Sequence, residues 1–219
     1  TLIFLKLELF FLSSSKASSQ QLFSNKNLDF NDFSESSDPY AYSKLWAEQK
    51  ILNLSHNSEL ECVIIRPPVV YGPDVKGNFD KLLTLLKKHI PLPFGAINNI
   101  RSYVALDNLV DFIALCADRT NSPKATNQVL MISDGNDVST TTLIKKISKA
   151  YGIKPVLLPV PVFMMKFAAK LIRKSDLSER LFGNALVDVS KTQDLLGWKP
   201  IISMDEQLRS MAHYDKQVK

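Results

Sequence analysis

The stretch "LECVIIRPPVVYGP", Leu60–Pro73, decides how the rest of the chain is read. From Cys62 to Ile65 it is apolar without alternation, which is the pattern of a strand covered on both faces. Pro67 and Pro68 then end it, because proline has no N–H to give to a sheet ladder. Strands covered on both faces belong to parallel sheets flanked by helices. Such sheets take their ligands beyond the strands' carboxyl ends, which here means the loop Pro67–Gly72.

The flanking sequence alternates strands and helices in the way that a parallel sheet with helical crossovers requires. Upstream, Leu7–Leu12 reads as a short buried strand ending in the serine-rich "SSSKASSQ", and a polar loop follows it. A helix is predicted over Pro39–His56, with Asp38 as its N-cap and Pro39 in its first position. Downstream, helices are predicted at Phe79–Lys88 and Asp107–Cys116, and a strand at Gln128–Ile132. "SDGNDVSTTTLIKKISKAYG" reads as a turn, a Ser/Thr cap and an amphipathic helix ending at Gly152. The proline-rich "KPVLLPVPVFMMKFAAKLIRK" reads as an extended piece followed by a helix with lysines along one side.

Composition narrows the function. With 219 residues, 45% of them apolar and 22% charged, the chain is globular and large enough to bury a core. The net charge of +5 is modest. The sequence has no basic run longer than Lys87-Lys88, which argues against nucleic acid and fits small anionic substrates. Cys62 and Cys116 lack metal-ligand spacing and are too few for a disulfide framework, so both are read as core residues in a reducing cytoplasm, and no metal site is expected. The opening run "TLIFLKLELFFLSSSKASS" is interrupted by Lys6 and Glu8 and lacks a basic start, so a strand is favoured over a secretory signal. No run approaches the length of a membrane span.

Within the predicted first helix, Tyr40 and Lys44 stand four residues apart and share a face. Six tyrosines and 21 lysines give roughly 0.6 such pairs by chance, so a bland surface contact competes with a catalytic pair. Context raises the catalytic reading. The pair lies between a strand ending in serines and a strand ending in "RPPVVYGP", so that Ser14, Ser15, Tyr40, Lys44 and the Pro67–Gly72 loop converge on one crevice.

Taken in order, "FFLSSSK", "DPYAYSKLWAEQ", "VIIRPPVVYGPDVKGNF", "PLPFGAINNIRSYVALDNLVDFI", "SDGNDVSTTTLI" and "DVSKTQDLLGWKP" resemble the extended short-chain dehydrogenase/reductase family. This is the group of NAD-dependent nucleotide-sugar epimerases, dehydratases and 4-ketoreductases. The likeness runs from about Phe10 to Leu208. It points toward UDP-glucose 4-epimerase-like proteins and UDP-N-acetylhexosamine 4-ketoreductases of bacterial surface-polysaccharide pathways.

The resemblance implies an α/β fold: the second, nicotinamide half of a Rossmann-like parallel sheet (1–72 with 103–135) and a smaller substrate domain (73–102 with 136–219). It implies NAD or NADP as cofactor, a UDP-sugar as substrate and a cytoplasmic enzyme, and it leaves a homodimer open. Tyr40 becomes the acid or base at the sugar's C4 oxygen. For that its phenol must ionise near neutrality, about 4 kcal/mol of preferential phenolate stabilisation. Lys44 and the positive nicotinamide ring supply it, and Lys44 also holds the cofactor ribose. Pro67 and Val70 are carried over as cofactor-binding positions. Ser14 would hold the sugar oxygen; alignment through Lys16 selects it, whereas spacing to Tyr40 selects Ser15, which stays a substrate-binding candidate.

Arg101, a planar fork suited to a diphosphate, is carried over as a clamp, with Arg180 as a second. Asn78 sits where a helix N-terminus would favour the same anion. Leu92–Phe94 is read as a wall of the uracil pocket or as core. Lys16 and Ala17 stand where a dehydratase would have an acidic pair, which leaves epimerisation or 4-keto reduction. One departure is large: the first glycine is Gly72, and nothing before Phe10 resembles the family's glycine-rich pyrophosphate loop. The expectation is therefore that the first four strands are missing and that the chain is a truncated form of a working enzyme. The rival reading is an inactive binding protein on the same scaffold.

Overall fold

The structure is a computed structural model that describes residues 39–74, 78–171 and 182–218. The predicted strand Leu7–Leu12, together with Ser14, Ser15, Asp38 and Arg180, lies outside the described residues.

The order of elements is α1 (Pro39–His56), β1 (Val63–Arg66), β2 (Val69–Tyr71), α2 (Asn78–Lys87), β3 (Tyr103–Ala105), α3 (Leu106–Ala117), β4 (Gln128–Met131), α4 (Thr140–Tyr151), α5 (Val162–Leu171), α6 (Ser190–Leu196) and α7 (Met204–Val218). Strand β1 pairs in parallel with β4, Ile64 opposite Val129 and Ile65 opposite Leu130. Pro67 and Pro68 end β1 as their chemistry requires, and the chain re-enters extended structure at once as β2. That strand pairs in parallel with β3, Val70 opposite Val104 and Tyr71 opposite Ala105.

Strands β2 and β3 form a shared wall. Because side chains alternate along a strand, Val70 and Val104 face one core while Tyr71, Tyr103 and Ala105 face the other. The first core gathers Ile65, Leu109, Phe112, Leu130, Ile132 and Trp198. The second gathers Phe79, Leu83, Leu86, Ile144, Ile147 and Leu208 from α2, α4 and α7. Cys62 and Cys116 are both buried, and burial pushes the Cys116 thiol up to about 12. Gly72 is needed where β2 meets α3, because a Cβ there would sit 2.4 Å from the Cβ of Leu106.

Local signals placed several helix ends. Ser139 caps α4 by accepting the Thr142 N–H at 3.0 Å, and Gly152 closes it in the left-handed conformation with φ 67°. Helix α7 opens on a reciprocal cap in which Glu206 accepts the Ser203 N–H at 2.9 Å while the Ser203 hydroxyl accepts from the Glu206 N–H. The helix predicted from Phe79 begins one residue earlier, at Asn78, and that predicted over Asp107–Cys116 extends one residue at each end. Among the described residues, no helix is long and apolar enough to cross a membrane, and no group of three or more His, Cys, Asp or Glu could hold a metal.

Candidate active site

Helix α1 sets the site's main axis. Tyr40 occupies its first turn, Lys44 the next and Glu48 the one after, all on one side of the helix. What that side faces is fixed by Glu48. Its carboxylate accepts from Arg66 at the last residue of β1, through Nε at 3.1 Å and through Nη2, with both side chains 7% exposed. Glu48, one turn after Lys44, is thereby tied to the carboxyl end of β1; Pro67 and Val70 beyond that end are buried, and Lys44 is half-buried. Elsewhere α1 is anchored by buried Leu45 and by Ser55, whose hydroxyl donates to Asn127.

Arg101 is placed by a different device, which the sequence did not reveal. Its backbone is held from both sides: Arg101 N–H donates to Val138 and Val138 N–H donates back, each at 3.1 Å, and it bridges to Ala185 on the other side. Ser102 N–H donates to Ala185 at 2.8 Å and Ala185 N–H to Ile100 at 3.0 Å. Side chains lock this ribbon of three segments joined by single bridges. The Ser102 hydroxyl donates to Asp137 and accepts from the Val187 N–H, and Asn184 accepts the Ile100 N–H. Asn78 opens α2, with Asp80 in the same first turn. Leu92 is core, 4% exposed, which settles its part of the Leu92–Phe94 loop in favour of packing; Phe94 is half-buried against that core.

Sequence reasoning also missed a second polar joint. Asp134, just beyond β4, accepts from the Tyr71 hydroxyl at 2.6 Å, the Asn108 amide at 2.7 Å and the Ala105 N–H at 2.9 Å. Asn108, fully buried, also accepts from the N–H groups of Ile201 and Ile202 and donates to the Ile202 carbonyl. Burial raises the Asp134 carboxyl above its ordinary value, and the Tyr71 hydrogen bond pulls it back down. The Tyr71 phenol is pushed far up by burial and by the neighbouring Asp134 charge, so it acts as a fixed donor and not as an acid. The signal available was the "SDG" turn after a predicted strand, which marks a loop without saying what the aspartate holds.

Residues 5–130 match the model of the NAD dependent epimerase/dehydratase family. The chain belongs to this family. Among curated relatives of this epimerase/dehydratase chain, a UDP-glucose 4-epimerase from Vibrio cholerae is 42% identical over 203 residues, covering 92% of this chain and 61% of that protein. A decarboxylating sterol-4-alpha-carboxylate 3-dehydrogenase from Candida albicans is 24% identical, covering 77% of this chain and 53% of its own length. The chain thus spans about half to three-fifths of the length of these relatives. A solved UDP-glucose 4-epimerase from Thermotoga maritima, with UDP-glucose, superposes with a TM-score of 0.62 at 22% identity, covering 82% of this chain and 54% of that one. A UDP-glucuronic acid 4-epimerase from Bacillus cereus, in complex with NAD, gives 0.63 at 21%, covering 83% and 52%. These establish the Rossmann-type α/β fold of the epimerase/dehydratase family.

Proposed function

We propose that this chain carries the proton-transfer and sugar-nucleotide half of an NAD- or NADP-dependent 4-epimerase or 4-ketoreductase, acting on a UDP-hexose or UDP-N-acetylhexosamine for surface polysaccharide or O-antigen synthesis. The observation that supports the reading is the anchoring of α1: the buried Glu48–Arg66 pair ties the helix that bears Tyr40 and Lys44 to the last residue of β1, and in this reading the pair works at the carboxyl end of the sheet. Parallel sheets receive ligands at that end. In this reading 1–72 with 103–135 forms the nicotinamide half and 73–102 with 136–219 the sugar-nucleotide domain.

The donor set fits the nicotinamide end of the cofactor. Lys44 would hold its ribose, with Pro67 and Val70 lining the site. The bound cofactor would supply the acceptor and donor of a hydride at C4. Tyr40 takes the proton from the 4-hydroxyl as the ketone forms and returns it as the ketone is reduced, while Ser14, with Ser15 beside it, fixes the sugar oxygen. An ammonium one helical turn away favours the phenolate that this requires. Arg101, Asn78 and Arg180 hold the diphosphate, whose charge suits a guanidinium fork and a helix N-terminus. The second reading, an inactive binding protein, takes support from one feature of these 219 residues: their first glycine is Gly72, so they supply no glycine-rich pyrophosphate loop of their own.

Turnover of UDP-glucose by the whole protein separates the two, and in an active enzyme two variants test the residue roles. Tyr40→Phe is expected to abolish interconversion of UDP-glucose and UDP-galactose while leaving UDP-sugar affinity within about threefold. Turnover near the wild-type rate would remove Tyr40 from the chemistry. Arg101→Ala is expected to weaken UDP binding by about 1.5–3 kcal/mol in calorimetry, the range for a charge-assisted hydrogen bond. An unchanged UDP dissociation constant would return Arg101 to a role in the ribbon alone.

A further inference from the structure

The site uses nothing from α5, yet α5 carries the most exposed apolar surface of the described residues. Phe163 is 72% exposed, Phe167 68% and Leu171 75%, and Met164 is more than half exposed. At about 100° per residue these four fall on one arc of the helix, and the half-buried Val162 and Met165 lie on the side opposite, toward the body of the protein. Lys166 and Lys170, both exposed, border the arc on one edge. Val156 and Leu158 are also exposed in the extended segment before α5, which the Leu92 backbone holds at 2.9 Å on either side of the half-buried Leu157.

Charge decides what this face fits. From residue 138 to 175 the chain has eight basic residues and no acidic one, whereas the other 181 residues hold 19 basic and 22 acidic ones. Lys146 is engaged by Asp205 on α7 at 2.8 Å and is not part of the patch. Lys154, Lys166 and Lys170 are exposed in the same stretch as the apolar arc, and Arg173 and Lys174 follow α5 in sequence. Aromatic side chains bordered by lysines make a helix that lies in a membrane interface, its rings among the acyl chains and its ammonium groups at anionic headgroups. Two phenylalanines and a leucine on a helix too short to span a bilayer set a shallow insertion.

We propose that α5 docks this protein on an anionic lipid surface, with Phe163, Phe167 and Leu171 inserted and Lys166 and Lys170 at the headgroups. The test uses the full chain and flotation with vesicles of phosphatidylcholine alone or with roughly 30% phosphatidylglycerol. The chain is expected to float with the anionic vesicles and not with the neutral ones, and to be released as salt rises from about 50 to about 500 mM. Phe163→Asp with Phe167→Asp is expected to lower vesicle affinity at least about tenfold, and each of Lys166→Gln and Lys170→Gln by about fivefold. Ile201→Asp, at an apolar site elsewhere that is 64% exposed, is expected to leave it unchanged. Equal binding to neutral vesicles, no binding at all, or the same loss in the Ile201 variant would overturn the proposal. So would a dimer that Phe167→Asp converts to a monomer in light scattering without any vesicle binding, which would make α5 a contact between copies.

Discussion

Two buried polar joints, one between α1 and β1 and one around Asp134, are built on opposite principles. At the α1–β1 joint, a carboxylate meets a guanidinium directly, and Glu48 and Arg66 satisfy each other across 18 residues of sequence. At the Asp134 joint, a lone carboxylate is held by neutral donors from β2, β3 and α3, and Asn108 ties the same cluster to Ile201 and Ile202. The second joint sits where two packed cores share a wall. The first carries a helix with Leu45 as its only buried apolar side chain among those described. The helix that carries the candidate catalytic pair thus has a buried ion pair, one buried leucine and the Ser55–Asn127 bond among its described anchors, whereas the wall between the cores is tied by several neutral hydrogen bonds.

The largest expected effect comes from breaking the charge pair on one side. Glu48→Ala leaves Arg66 charged and buried, and a loss of about 3–5 kcal/mol is expected in denaturant unfolding. Replacing Glu48 and Arg66 together by methionine is expected to recover stability to within about 1 kcal/mol while still lowering turnover, because apolar packing restores burial and not aim. A double variant as unstable as Glu48→Ala would mean that the pair itself holds the helix. Asn108→Ala comes next, at about 2–4 kcal/mol, since it strands the Ile201 and Ile202 N–H groups and removes one donor to Asp134. A loss under 1 kcal/mol would show that water replaces the amide.

Tyr71→Phe should be milder, about 1–2 kcal/mol at pH 7, and its pH dependence is the informative part. Burial already raises Asp134, so its contribution is largest below the ordinary carboxylate range and is lost as pH rises through the raised value. Deleting the Tyr71 hydroxyl, which lowers that carboxyl, raises it further. The difference between variant and wild type should therefore shrink from pH 7 to pH 5 in paired unfolding curves. A difference that grows on acidification would reverse the assignment. The smallest effect belongs to an exposed pair: Lys146→Ala should cost about 0.5 kcal/mol or less. Lys146 holds Asp205 below its ordinary 3.8, so this small contribution is present above that value and is lost as pH falls through the lowered one, which salt titration of the two proteins would also reveal.

What the sequence determined by itself was whatever depends on near neighbours along the chain. The apolar run before Pro67 made β1, Ser139 and Gly152 bounded α4, and Pro39 opened the helix that puts Lys44 one turn after Tyr40; each follows from local sterics and hydrogen bonding. The family pattern added candidate roles for Tyr40, Lys44 and Arg101. Only the tertiary structure decided what that helix is tied to, because the deciding contact joins Glu48 on the helix to Arg66 at the end of a strand, 18 residues on. The ribbon around Arg101 and the Asp134–Asn108 cluster were hidden for the same reason. Ser102 meets Val187 across 85 residues and Asn108 meets Ile202 across 94. No local periodicity encodes such pairs, and the burial that makes them strong exists only once both cores have closed.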